Sequence, residues 1–143
     1  MVILSIDLGD SRTGVAVCDK TETLASPVTT VFEKYFPKIL EKVNEIVKEK
    51  KPELIVVGYP KNMNATIGDR AKKCEEFASS LKELSGVDTV LWDERLSTVS
   101  AMHALNDSGT FGKKRKNVLD SVAAVIILQS YIDYRRIHNE NRI

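Results

Sequence analysis

Ile3-Leu4-Ser5-Ile6-Asp7-Leu8-Gly9-Asp10-Ser11-Arg12-Thr13-Gly14-Val15-Ala16-Val17 opens on an apolar run, breaks between two glycines and resumes as Val15 to Cys18. Aliphatic and β-branched residues on both sides of a Gly-bounded turn predict a hairpin. Asp7 is out of place in it, because a carboxylate ending an apolar strand is costly to desolvate unless something pairs with it. Either Asp7 caps the turn by accepting from the amides of Leu8 to Asp10, or it holds a cation or works on a substrate at the mouth of a sheet. Other carboxylates placed in the same way decide between these.

Beyond the hairpin, Pro27 to Val31 reads as a third strand. Tyr35 to Lys50 turns to helical period, with Phe36, Ile39, Leu40, Val43, Ile46 and Val47 on one face and Lys38, Glu41, Lys42, Glu45 and Lys48 on the other. Pro52 closes it. Leu54 to Gly58 is a short, wholly apolar strand reached through a helix, the signature of a parallel crossover. A polar stretch from Lys61 leads into a second helix to about Leu84, ended by Gly86 and lined by Ile67, Ala71, Cys74, Ala78 and Leu81. Val87 to Trp92 is the fifth strand, and Ser97 or Thr98 can cap a helix through Leu105. Asp107 to Lys116 reads as a basic loop. The final helix, from about Val118 to Arg136, is apolar nearly all round and so expected to pack on more than one side. The sum is one α/β domain, residues 1–137, with a mixed five-stranded sheet flanked by helices, and a polar tail at 138–143.

The 143 residues suit one domain with a real core, and 43% hydrophobic against 29% charged residues argues against wholesale disorder. A net charge of +1 excludes a global basic field, so any polyanion must be met by a local cluster. Cys18 and Cys74 lie far apart in apolar patterns, without C-x-x-C and with two histidines, so a zinc site or disulfide framework is not expected. The start carries no signal-peptide pattern and no apolar run reaches a membrane span. A cytoplasmic location without a membrane partner is the expectation.

Three acids fall at comparable places: Asp7 ends the first strand, Asp93-Glu94 end the last, and Asp120 is the lone ionisable residue between Asn117 and Ile132. In open α/β sheets, sites gather at the carboxyl ends of parallel strands. Carboxylates without histidine or thiolate suit Mg²⁺ or Mn²⁺, and such ions can promote phosphodiester hydrolysis. Each acid has a plainer explanation. Asp120 stands three residues after Asn117, as in a capping box, and Glu94 can pair with Arg95. Arg12 is either a solvated loop residue or a bidentate phosphate ligand. Lys113, Lys114, Arg115 and Lys116 form either a solvated run or a clamp on a nucleic-acid backbone. The three acids together tip the balance toward a site.

Asp7-x-Gly9-x-x-Arg12-x-Gly14-Val15-Ala16, Val57-Gly58-x-Pro60-x-Asn62-Met63, Asp93-Glu94-Arg95-Leu96-Ser97-Thr98 and Asp120-Ser121-x-Ala123-Ala124-x-x-x-Leu128-Gln129-x-Tyr131 resemble the four signature blocks of the YqgF (RuvX-like) family, in family order and across almost the whole chain. The resemblance implies an RNase H-like fold and a Mg²⁺-dependent nuclease, described either as a Holliday junction resolvase or as a factor maturing the 5′ end of small-subunit ribosomal RNA. It implies that Asp7, Glu94 and Asp120 hold the metal, and that Arg12, Asn62, Arg95 and Thr98 act on the substrate side or support the acids. Two positions depart: Tyr59 stands where the family usually has Leu, and Ala65 where it usually has Gly. The partner is then pre-rRNA or branched DNA. Symmetric junction cleavage would want a homodimer, while trimming one RNA strand would need only a monomer.

Two other classes compete. The Asp7-x-Gly9 hairpin also resembles the phosphate-binding hairpin of actin-like sugar kinases and ATPases, which need two such domains around one nucleotide. A nucleic-acid-binding module without turnover is the other. Retention of all three acids argues against it.

Overall fold

The computed structural model describes residues 1–60, 68–97 and 113–140, with side chains for these except at 113–121, 139 and 140. Strand β1 (Ile3–Leu8) is buried along its whole length and is the centre of the molecule. Its period-two alternation sends Leu4, Ile6 and Leu8 to one face of the sheet and Ile3, Ser5 and Asp7 to the other. Strand β2 (Arg12–Cys18) returns antiparallel to it, with Leu8 level with Thr13, and β3 (Ala25–Phe32) pairs antiparallel with β2. The turn is therefore Gly9 to Ser11, and Arg12 opens a strand, half-buried, instead of lying in the turn. Gly9 is required there, since a Cβ would collide with the Arg12 carbonyl oxygen. The β2–β3 register shifts between Val15 and Ala16, next to the Ala16–Pro27 pair. Proline brings no amide to the ladder, which suits it to a terminal strand of the described sheet.

Helix α1 (Phe36–Lys50) follows, then β4 (Leu54–Tyr59), which is wholly buried and pairs parallel with β1. Helix α2 (Asp69–Ser85) leads to β5 (Asp88–Asp93), parallel to β4. The sheet order is β3-β2-β1-β4-β5, a mixed five-stranded sheet as the pattern of apolar runs predicts. Lys51 and Gly86 end the two helices in left-handed conformations, each amide bonding back four residues.

Two cores result. Ile39, Val43 and Val47 of α1 and Phe77, Ala78 and Leu81 of α2 cover one face of the sheet. On the other face Ala123, Ala124, Ile127, Leu128 and Ile132 of helix α3 (Lys113–Glu140) pack on Ile3, Ala16, Ala25, Leu54 and Val56. This corrects three expectations. The helix begins at Lys113, so the basic run lies in its first turn and not in a loop. It continues through His138, whose ring stacks on Tyr134 at 3.8 Å, to Glu140 and so three residues into the expected tail. It is also not buried all round: Val122 is exposed and Val125 and Ile126 are half-buried, because a single sheet face takes one helical stripe. Trp92 is half-buried at the edge of the second core. It packs edge-on against Tyr131 and donates to Ser130 Oγ at 3.2 Å. The expected helix through Leu105, with His103, lies outside the described residues.

At the far end of the molecule, Glu22 accepts from the Met1 amino group at 3.0 Å and from Arg135 Nε at 2.7 Å, which ties α3 to the β2–β3 connection. No helix among the described residues is long and apolar enough to cross a membrane.

Candidate active site

Three parallel strands, β1, β4 and β5, end at one edge of the sheet, and two carboxylates are buried there. Asp7 and Glu94 are each only 3% exposed. Ile6 is level with Val57, so one further step brings Asp7 level with Gly58, and Gly58 is itself level with Trp92. Ser5, Leu54 and Val56 share the α3 face, and the alternation carries Asp7 and Gly58 onto that face too. Glu94 opens a short 3-10 turn, Glu94–Leu96, just past β5. Its Oε1 lies 2.9 Å from where a Cβ on Gly58 would stand, so the carboxylate folds back over β4 toward β1. Neighbouring strands run about 4.8 Å apart, which leaves Glu94 and Asp7 about one strand spacing apart.

Asp93 takes a different role. Its Oδ1 accepts from the Arg95 amide at 2.9 Å, capping the 3-10 turn, and its carboxylate binds the Arg95 guanidinium at 2.7 to 3.1 Å. Asp93 thus binds Arg95 at both its amide and its guanidinium.

Around the acids, burial pushes the Cys74 thiol up to about 12; the charge of Glu94 adds to this, Arg70 opposes it, and Asp7 adds a smaller push. With its proton held this firmly, the thiol is a poor nucleophile at neutral pH. Arg70, in the first turn of α2, donates to the Leu8 carbonyl at 3.4 Å and so holds the segment between Asp7 and Gly9. Tyr59 donates its hydroxyl to Glu75 of α2, which holds the phenol up at about 12. The phenol that departs from the family pattern therefore brings its own partner. Sequence reasoning missed Arg70 and the space at Gly58; the isolated glycine in an apolar strand was the signal available.

Helix α3 meets the same face. Ser5 Oγ donates to the Ala124 carbonyl at 2.7 Å, and Arg135 sits near Met1, so α3 runs antiparallel to β1. Position 120 is one turn before Ala124, about 6 Å along the axis, while Asp7 is two residues, about 6.6 Å, beyond Ser5. The backbone of α3 therefore passes position 120 at the level of Asp7. The side chains of Asp120 and of Lys113 to Lys116 lie outside those described, as do Asn62 and Thr98. Among the described residues no three His, Cys, Asp or Glu side chains gather as a metal ion would need.

The fold is that of the RuvC-like, RNase H-like resolvases. The chain matches Thermus thermophilus RuvC, solved with a Holliday junction substrate, at a TM-score of 0.63 and 17% identity over 96% of both chains. It matches the Fowlpox virus resolvase, solved with junction DNA, at 0.52 and 14% over 94% of this chain and 98% of that one. More narrowly, the chain belongs to the RuvX family, described as Holliday junction resolvase, whose model matches residues 1–134. Relatives in Desulfitobacterium hafniense (45% identical, 97% of this chain and 96% of the relative) and Bacillus cytotoxicus (44%, 93% and 98%) are named "Putative pre-16S rRNA nuclease".

Proposed function

We propose that this protein is a nuclease hydrolysing phosphodiester bonds of structured RNA, the 5′ end of pre-16S rRNA being the substrate, with Asp7, Glu94 and Asp120 holding Mg²⁺ or Mn²⁺. The observation that carries this is the burial of two carboxylates on one face of a sheet edge in a RuvX-family chain. Two like charges buried close together repel, and a cation relieves that repulsion. The residues fit such an ion: hard carboxylate oxygens, both buried on one face at the ends of the parallel strands. When bound, a divalent ion supplies Lewis acidity at the phosphoryl group and compensates the buried charge.

The chain's own residues do the rest. Arg70 steadies the segment beside Asp7, and Asp93 with Arg95 rigidifies the turn that presents Glu94. Arg12, Asn62 and Thr98 are assigned to the substrate side, with Arg95 in support. Lys113, Lys114, Arg115 and Lys116 hold phosphates at the start of α3. RNA is favoured over junction DNA because relatives at 44 and 45% identity carry the rRNA name, while the resolvases solved with junctions stand at 14 and 17%. Cutting one strand needs one copy of the chain. The buried free thiols Cys18 and Cys74 suit the reducing cytoplasm.

The test is cleavage of an RNA spanning the precursor 5′ end, beside an immobile four-way DNA junction, with Mg²⁺ or Mn²⁺. RNA should be cut at the mature end. Asp7→Asn and Asp120→Asn should stop cutting while still folding and binding. Cleavage of the junction alone moves the substrate to DNA, and wild-type turnover by Asp7→Asn removes the catalytic reading.

A further inference from the structure

Gly58 is buried next to the end of β4, between β1, which carries Asp7, and β5, which leads into the turn that carries Glu94. Its φ is not in the left-handed region, where Gly86 is the one described glycine. Backbone geometry therefore does not call for glycine, and a glycine inside a strand weakens it through poorer packing and greater unfolded-state freedom. What calls for it is space. A Cβ built on Gly58 would stand 2.7 Å from Ile127 Cδ1, 2.9 Å from Glu94 Oε1 and 3.5 Å from Glu94 Cγ. Ile127 can yield, because its Cδ1 is the end of a rotatable side chain. The Glu94 carboxylate yields only by leaving its place over β4.

We propose that Gly58 is a positioning residue of the candidate active site, its missing side chain being the slot through which Glu94 reaches over β4 toward Asp7. This rests on the reading of Glu94 as a metal-holding acid. Such a slot works as the outer partner of a metal ligand works: it touches no substrate, yet fixes where the carboxylate oxygens stand. Alanine is then excluded at position 58 by function, although the strand itself would accept it.

The test separates the two neighbours. Ile127→Val removes Cδ1, so Gly58→Ala combined with Ile127→Val keeps only the collision with Glu94. The pair should unfold close to the temperature of Ile127→Val alone. The Mn²⁺ concentration needed to raise its melting temperature should increase about 10–100-fold, as when an outer partner of a metal ligand is removed. An unchanged Mn²⁺ midpoint overturns the proposal. Should the pair instead unfold at a lower temperature than Ile127→Val, the loss comes from the remaining collision with Glu94, so it should vanish when Glu94→Ala is added, and a loss of the same size there overturns the proposal. Glu94→Gln that takes up Mn²⁺ like wild type overturns the metal reading and this proposal with it. Loss of Mn²⁺ response in Glu94→Gln beside a normal response in the Gly58→Ala pair overturns this proposal alone.

Discussion

Ser5, two residues before Asp7, gives its hydroxyl hydrogen to the carbonyl of Ala124, four residues after Asp120, in a buried 2.7 Å hydrogen bond. The bond registers α3 against β1 at the level where the candidate acids lie. Ser5→Ala should cost about 1 kcal/mol of stability. It should lower cleavage more than that loss explains, because the bond that sets the register of α3 nearest Asp7 is then gone. Denaturant unfolding and single-turnover cleavage, measured together, decide this; unchanged cleavage would make the bond purely structural.

Asp93 and Glu94 are adjacent yet differently engaged, one bound to Arg95 and the other folded under α3. Asp93→Asn should cost about 1 kcal/mol through the weakened cap and ion pair and leave most activity. Glu94→Gln should keep the fold and lose activity by orders of magnitude. Melting curves and cleavage rates of the two variants check the assignment, and a greater activity loss from Asp93→Asn would reverse it.

Neutralising Lys113 and Lys114 together should weaken nucleic-acid binding regardless of sequence. It should also flatten log Kd against log salt by roughly one unit for each phosphate no longer held. Fluorescence anisotropy over a salt series is the measurement, and a parallel line would leave the run merely solvated.

Burial and the nearby acids hold the Cys74 thiol up at about 12 from 9.0, so the folded state binds that proton more tightly than the unfolded chain. Stability from this source is whole below about pH 9 and is lost as pH rises toward 12. Tyr59, held up at about 12 from 10.0 by Glu75, adds to the same alkaline slope. Stability should therefore fall with rising pH in this range, and Cys74→Ala should make the fall shallower. Chemical denaturation at several alkaline pH values reads this directly.

Most of the sheet and its order of elements were legible in the sequence, because β1 and β4 are predominantly apolar runs and α1 has a clean amphipathic period. The start of α3 was not. Four cations in a first turn oppose the helix dipole, so the polar signals pointed instead to Asn117 and Val118. Asp7 was legible as an anomaly in an apolar strand. The choice between Asp93 and Glu94 rested on family resemblance, since residue type alone does not distinguish a cap from a buried acid. Gly58 was illegible as a slot, because a gap exists only once β5 and α3 are packed beside it.

The second core joins the first strands of the chain to its last helix: Ile3, Ala16 and Ala25 wait for Ala123 to Ile132. During synthesis the α1–α2 face can close while the opposite face, which carries Asp7, is still bare. That face is covered only when residues beyond 120 have emerged from the ribosome. Pairings this distant in sequence form late. A nascent chain therefore holds Asp7 on an open sheet, away from the partner elements that α3 brings, until α3 itself has been made.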